Sequence, residues 1–600
     1  MTLLNKLKPK SLMWLLCLAI ILAASIYFFS LWKSERWSLE KKKITPFHRL
    51  VNKQIKLTPF ELANERRWAL KSSIFATYEF KAKIPPQGYL KFGIGIDPQW
   101  QKTYRQGITF RISIINDGKS WDVFSTYYDG NTWQDFKIKL DHFAGEIVTI
   151  KFLTAAEVGH SNSKPALWAD PRIISALRLK EEINILLISI DSLRADHLGV
   201  YGYKRPTSPN IDQLAREGAT LNQMYAQRSL TWPSLTSIMT SLYPNTHGVI
   251  RNGYKLKKDT VSLDVILKDY GYDTASFLAN YWDTLTRGFT MRKHSTDFGI
   301  TKEGIKWLSS KTKNKFFLWL HYLNPHFAYE PIPPYDKMFD PSYKGTINGK
   351  YLLLNEIMTK NQTITQRDLK HVIALYDGEI RQTDHLIGTL LDVLNKFGLK
   401  ENTLVIITAD HGEELYQHHN YFYHHASVYD SCLHIPCILR LPGIINENIK
   451  IDNSLESIDI LPTILDILKA PYPADFQGES FYPLLQNKKI HEKKPVQSQF
   501  ENKIYTIRNE NWKYIYNPTD YRILALSSPQ EKYIQIHKEE LYDIMHDPQE
   551  ITNLAPSNRV IKDKLKKQLL TWIKNNNNKR VKNQAVNEEL LRKLRALGYN

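Results

Sequence analysis

The segment Ser229–Gly248 reads SLTWPSLTSIMTSLYPNTHG, a hydroxyl-rich stretch with Thr231 two residues ahead of Pro233. Taken as a helix start, it makes Thr231 an N-cap whose hydroxyl sits at the positive end of a helix running through Ser237 and Met239, with Pro233 tolerated in the first turn. Helix N-termini bind tetrahedral oxyanions through their free N–H groups. Two acidic positions accompany this hydroxyl: Asp191 closes one apolar run, and Asp410-His411 follows another. Carboxylates suit a hard cation, and His411 adds a nitrogen. A cation on a hydroxyl oxygen lowers its pKa and creates a nucleophile, so the combination describes metal-assisted ester chemistry. Thr-x-Pro by itself is equally an ordinary helix cap.

The elements that must bring these groups together are also visible. Ile183–Ile190 (INILLISI) and Leu404–Thr408 (LVIIT) are apolar without alternation, as in parallel strands covered by helices on both faces. In open α/β sheets ligands sit beyond the carboxyl ends of the strands, which is where Asp191 and Asp410 fall.

A series of ordered motifs makes the pattern specific: DSLRADHLGVYGY (Asp191–Tyr203), RPTSPNIDQLAREGA (Arg205–Ala219) and TWPSLTSIMTSLYPNTHGV (Thr231–Val249), then HYLNPHFAYEPIPPY (His321–Tyr335), YDGEIRQTD (Tyr376–Asp384), TADHGEEL (Thr408–Leu415), HHASVYD (His424–Asp430), LPTILDIL (Leu461–Leu468), LYDIMHDPQEITNLA (Leu541–Ala555) and LRALGY (Leu594–Tyr599). Together they resemble the sulfatase family of the alkaline-phosphatase-like superfamily, from Asn184 to the C-terminus. The resemblance implies an α/β core with a mainly parallel sheet. Carried over by position, it makes Asp191, Asp410 and His411 metal ligands, puts Thr231 at the nucleophile position and makes His326 a leaving-group or oxyanion histidine. His424 or His425 stands where the family places a second histidine or lysine beside the transferred group.

The departures from the family pattern bear on mechanism. Thr231 replaces the Cys or Ser that is oxidised to formylglycine, and Leu235 replaces an arginine. Threonine cannot give that aldehyde, because its Cβ already carries a methyl, so no formylglycine is expected. Ser192 stands for the usual second acidic ligand, and LANY (Leu278–Tyr281) occupies the region of the Gly-Lys-Trp-His sulfate-binding segment. The implied ligand set is Asp191, Thr231, Asp410 and His411, which suits one divalent ion: Ca, Mn, Mg or Zn. A threonine ester must be resolved by a second nucleophile, which tilts the expected substrate toward phosphate or phosphonate esters while sulfate stays open. Hydrolase and transferase are both compatible. The rival readings are a conventional sulfuric ester hydrolase and a catalytically inactive envelope binding protein. Retention of Asp191, Asp410, His411 and His326 argues against the inactive one.

Outside this core, Met1–Lys10 carries three lysines and the run to Trp32 is mostly apolar, enough to span a bilayer as a helix. The expectation is a cytoplasmic tail (1–10), a signal-anchor (11–32) and a linker (33–66), with the catalytic domain extracytoplasmic, periplasmic or extracellular. A cleaved signal peptide ending near Ala23-Ala24-Ser25 is the alternative. The three cysteines define no disulfide framework, and the net charge of +19 is spread over lysine-rich surfaces. That charge suits an anionic ester substrate carried on a glycan or a lipid head group. No nucleic-acid motif is present, so no nucleic-acid partner is expected.

Short β-prone runs across 67–178 predict a β-sandwich resembling jelly-roll, carbohydrate-binding-like modules. Trp121, Trp133 and Trp168 are placed either to stack on a sugar or to fill its core. The catalytic domain is expected over 183–487, a small antiparallel subdomain over 488–557 with a hairpin around Asn509-Glu510-Asn511, and a helical tail over 558–600.

Overall fold

A computed structural model describes residues 48–49 and 58–577, apart from 63–64, 85–87, 105, 157–164, 176–182, 257–259, 280–284, 286–287, 311–314, 361, 419–421, 425–426, 471–475, 489–493, 502 and 525–532. The expected tail, signal-anchor and first part of the linker lie outside the described residues, as do His425 and the chain after Asn577. No described helix is long and apolar enough to cross a membrane.

The two apolar runs are strands of one nine-stranded sheet. In chain order its strands are β1 (Asn184–Ile190), β2 (Ala219–Tyr225), β3 (Asp273–Leu278), β4 (Met291–His294), β5 (Phe316–Tyr322), β6 (Thr403–Ala409), β7 (His434–Ile435), β8 (Cys437–Arg440) and β9 (Ile449–Glu456). The spatial order is β4-β3-β5-β1-β6-β8-β2-β7, with β9 beside β2. Pairing is parallel from β4 through β6 and antiparallel at β6–β8, β8–β2 and β2–β7. Every residue of β1, β5 and β6 is buried, the condition that strands without alternation anticipate.

Among the described helices that frame the sheet and its attachments are α1 (Pro209–Arg216), α2 (Thr231–Thr240), α3 (Asp297–Ser309), α4 (Gln366–Lys396), α5 (Ile460–Ile467) and α6 (Arg559–Asn577). α4 runs 31 residues from the N-cap Thr365, whose hydroxyl accepts the Asp368 N–H. It packs against α1 and α3, while α2 packs against α5.

Ahead of this core lie two antiparallel sheets. One joins Thr58–Leu62, Glu65–Ser72, Ala166–Ser175, Gly88–Ile96 and Gln134–Lys139, with His48–Arg49 alongside; the other joins Thr77–Lys83, Ile147–Ala155, Ile108–Asn116 and Lys119–Tyr128. The first sheet begins well before residue 67, so part of the expected linker is strand. Thr58–Leu62, within the expected linker, carries Pro59 and is an edge strand, where a missing N–H is tolerated. The tryptophans are largely structural. Trp168 is fully buried among Phe92, Phe110 and Phe152, and Trp133 is buried beside Leu62 and Leu167. Trp121 is half-buried, edge-on to Phe143.

After the core, β10 (Val496–Phe500), β11 (Ile504–Arg508), β12 (Trp512–Tyr516) and β13 (Glu539–Asp543) form an antiparallel sheet. β11 and β12 are the expected hairpin, with Arg508 opposite Lys513. α6 closes the sheet by burying Leu565 and Leu569 with Tyr505 and Tyr514. The seam to the catalytic core is ionic: Lys513, 1% exposed, bonds Asp430 and Glu550, each at 2.7 Å, and Arg508 bonds Asp430 at 3.0 Å. Removing one partner of such a buried network costs about 3–5 kcal/mol, because the rest is left charged and unpaired.

Candidate active site

Strand register explains why residues far apart in sequence meet. Ile190 pairs with Ala409 across β1 and β6, so the next residues, Asp191 and Asp410, emerge side by side. On the other flank Ser189 pairs with His321 of β5. Residues i and i+2 of a strand share a face, which carries His321 toward Asp191; its Nε2 lies 3.6 Å from Asp191 Oδ2. Its Nδ1 is 2.9 Å from Ser189 Oγ, which also accepts the Trp319 indole N–H.

Thr231 arrives on α2. Leu230 holds the N-cap position with extended backbone and Thr231 is the first helical residue, so the expected capping role is corrected by one residue. The hydroxyl is turned elsewhere: Thr231 Oγ1 lies 3.3 Å from His411 Nε2. The Trp232 N–H, in the open first turn, donates to Asn252 Oδ1. Leu235, at the family's arginine position, is buried in the hydrophobic core.

His411 is oriented by its own backbone. Its Nδ1–H donates to the Gly412 carbonyl at 2.9 Å, leaving Nε2 as the ligand-capable nitrogen. That atom is 3.4 Å from Asp410 Oδ2 and 3.8 Å from Asp191 Oδ1. The loop beyond passes so close to Ser431 that a Cβ on Gly412 would lie 2.2 Å from its carbonyl oxygen, so only glycine fits. Ser192, with φ of +58°, donates its backbone N–H to Asp410 Oδ1 and its hydroxyl to Asp191 Oδ1. The serine that replaces an acidic ligand therefore holds the remaining carboxylates.

Asp191, Thr231, Asp410, His411 and His321 are all buried. Burial and the neighbouring Asp191 push the Asp410 carboxyl well above its usual range. Asp191 is also opposed by burial, but His326, His321 and His411 draw it below the carboxylate norm. Asp191 Oδ2 and Asp410 Oδ2 accept no hydrogen bond among the described residues. Two buried carboxylate oxygens in that state are costly unless a cation pairs them. Ligand atoms of Asp191, His321 and Asp410 lie within 4.8 Å of one another, so the donor set fits one divalent ion. The sequence signal for His321 is a histidine one residue before the end of the otherwise apolar FFLWLHY strand.

The remaining histidines surround this centre. The ring of His424 lies 4.0 Å from that of His411 and 5.0 Å from that of His326, centroid to centroid. Asp297, at the start of α3, accepts the N–H groups of Leu323 and Asn324 and so fixes the turn that carries His326; burial pushes its carboxyl up to about 6. The His326 Nδ1–H bonds the Phe327 carbonyl, and burial lowers the pKa of the ring.

Residues 183–470 match the family model described as Sulfatase, and 417–575 match N-sulphoglucosamine sulphohydrolase, C-terminal. Residues 183–470 therefore form a sulfatase-family domain. An ulvan-active sulfatase of Formosa agariphila is 25% identical over 456 residues, covering 71% of this chain and 86% of its own. Arylsulfatase K of Rattus norvegicus is 25% identical, covering 63% and 76%. Among solved structures, one bound to its substrate D-glucosamine-2-N,6-O-disulfate superposes with a TM-score of 0.55 at 20% identity, covering 66% of this chain and 98% of that one. The phosphonate monoester hydrolase of Agrobacterium radiobacter gives 0.54 at 21%, covering 66% and 96%. Residues 183–470 have the sulfatase fold, with the added antiparallel sheets described above.

Proposed function

We propose that this protein cleaves phosphate-type esters, phosphodiester or phosphonate, with Thr231 as an unmodified nucleophile. The carrying observation is the Thr231 hydroxyl at the start of α2, 3.3 Å from His411 Nε2 and beside the Asp191–Asp410 pair. Asp191, Thr231, Asp410 and His411 would hold a divalent ion, with His321, whose ligand atom lies within 4.8 Å of those of Asp191 and Asp410, as a further donor. Such an ion supplies Lewis-acid stabilisation of negative charge on the reacting oxygens.

The chain's own groups account for the remaining steps. The first turn of α2 presents the positive end of the helix dipole to an anionic ester, its Trp232 and Ser234 N–H groups being taken by Asn252 Oδ1 and the Leu230 carbonyl. Thr231 Oγ1 attacks in line, forming a threonine ester as the bond to the leaving oxygen breaks. His326 and His424 flank the transferred group, neutralise its charge and supply the proton the leaving oxygen needs. Water or a second alcohol then attacks phosphorus and frees Thr231. A formylglycine hydrate would instead expel sulfate by re-forming its carbonyl, a route closed to threonine. Sulfate esters remain the second reading, favoured by the sulfated substrate of one structural neighbour and the family model itself.

The natural substrate is proposed to be an anionic ester on an envelope glycan or lipid head group. The protein would be held to the membrane by residues 11–32, with its catalytic domain outside the cytoplasm. The basis is the lysine-flanked apolar run. Full-length protein should sediment with membranes and resist extraction by high salt; a mature N-terminus near Ile26 would overturn the anchor. For the chemistry, aryl sulfate, phosphate monoester, phosphodiester and phosphonate substrates should be compared with purified protein in Ca, Mn, Mg and Zn. Phosphodiester or phosphonate turnover should exceed sulfate turnover by about tenfold or more, a gap of about 1.4 kcal/mol in barrier. Preference for aryl sulfate would reverse the assignment.

A further inference from the structure

His424 makes contacts that its place in the motif does not explain. Its Nδ1 is 2.9 Å from Glu413 Oε2, and both side chains are fully buried. The other carboxylate oxygen, Glu413 Oε1, accepts the Tyr329 hydroxyl at 3.1 Å. Tyr329 is itself fully buried, edge-on to Tyr376 and Phe327. Each Glu413 oxygen therefore has a partner and the carboxylate is locked. Its backbone is held as well: the Gly412 and Glu413 N–H groups donate to the carbonyls of Cys432 and Ser431.

Ser192 adds a second acceptor beside this contact. Its Oγ lies 3.3 Å from His424 Nδ1 and donates its one hydrogen to Asp191 Oδ1. Burial raises the Glu413 carboxyl, and one hydrogen lies between Glu413 Oε2 and His424 Nδ1 in their 2.9 Å contact. With Nδ1 committed there, Nε2 is the nitrogen that exchanges a proton with substrate.

We propose that Glu413, anchored by Tyr329, is a positioning residue that fixes the tautomer and orientation of His424 so that His424 Nε2 protonates the leaving oxygen. This rests on the reading of Thr231 as nucleophile and His424 as its acid. Thr231 reacts as the alkoxide, its hydroxyl proton already lost to solvent: as Oγ1 bonds to the central atom, the bond to the leaving oxygen breaks and that oxygen takes the Nε2 proton of the imidazolium. The imidazole that remains keeps its Nδ1–H on Glu413. When water or an alcohol attacks the threonine ester, its proton returns to Nε2, and the Glu413 carboxylate pairs with the restored positive charge.

The test uses two aryl esters of whichever class the protein turns over, alike except for a phenol or a 4-nitrophenol leaving group. A proton donor matters for phenol, a poor leaving group, and little for 4-nitrophenol. Glu413→Gln and His424→Ala should each lose about 10²-fold in kcat on the phenyl ester and under about tenfold on the 4-nitrophenyl ester, with KM unchanged. Tyr329→Phe should lose less, with the same leaving-group bias. The double variant Glu413→Gln/His424→Ala should be no slower than His424→Ala by more than about threefold, since residues acting as a unit are not additive. Metal content and melting temperature, measured on every variant, should match the parent in Glu413→Gln and Tyr329→Phe.

An equal loss on both esters, or an additive double variant, shows that Glu413 merely supports the loop and overturns the proposal. Full phenyl-ester activity in His424→Ala overturns the acid role of His424 itself and the positioning role with it. Loss in His424→Ala beside an unaffected Glu413→Gln overturns the positioning role alone. Should Glu413→Gln fold poorly, the leaving-group bias of Tyr329→Phe decides, because that change removes one hydroxyl and leaves the carboxylate in place.

Discussion

Asp410→Ala is expected to release the bound divalent ion and to abolish turnover at ordinary metal concentrations. Asp410 is placed by the parallel register of β1 and β6 and serves three functions at once. Its Oδ1 accepts the N–H groups of Ser192 and His411, which fixes the loop carrying both. Its Oδ2 takes no hydrogen bond from the described residues and faces His411 Nε2. Burial, and after it the charge of the neighbouring Asp191, raises its pKa, so the ionised pair is unfavourable in an empty site. Loss of an outer-shell partner costs metal sites about 10–100-fold in affinity, and removal of a ligand that also organises the loop should cost more. Elemental analysis of the purified variant, with a calorimetric titration of metal into the stripped parent, measures this. An unchanged stoichiometry in Asp410→Ala would sink the ligand assignment, whatever the activity.

Much of this centre could be read from the chain because the signals were local. Apolar runs ending in Asp191 and Asp410 announce covered parallel strands, and the fold follows from them. Thr231 was legible as a helix start but was assigned to the cap, one residue out, because propensity marks where a helix begins more coarsely than hydrogen bonding does. The edge strand Thr58–Leu62 was missed because its Pro59 reads as a break until the strand is known to have only one neighbour. His321 and Glu413 were harder still. His321 is delivered to Asp191 by pairing with a strand that starts 132 residues away from its own, and no periodicity within FFLWLHY carries that information. Glu413 lies in the same TADHGEEL segment as Asp410 and His411, yet its partners Tyr329 and His424 come from two other loops. Residue type marks a candidate ligand, whereas only three-dimensional register marks the group that aims it.

Thr231→Ala is expected to lose on the order of 10²-fold or more in kcat, because a nucleophile that forms a covalent intermediate carries a large share of the barrier. Three observations support that share. Thr231 is fully buried at the start of α2, where the positive end of the helix dipole complements an anionic group. Its hydroxyl contacts His411 rather than capping the helix. Its Cβ carries a methyl, so no oxidation to an aldehyde can substitute a different nucleophile. Thr231→Ser keeps the hydroxyl and should retain a measurable part of the activity, while the lost methyl leaves a small void in a packed site. Thr231→Ala also removes one proposed ligand, so its activity is measured at saturating metal with the ion content checked; Asp191, Asp410 and His411 remain to hold the ion, and this separates loss of attack from loss of the ion. Mass spectrometry of protein quenched during turnover should find the transferred phosphoryl, phosphonyl or sulfuryl group on the peptide containing Thr231, and none in the alanine variant. Full activity in Thr231→Ala would mean that water attacks the substrate directly; Thr231 would then be at most a ligand, and the threonine ester would have to be abandoned.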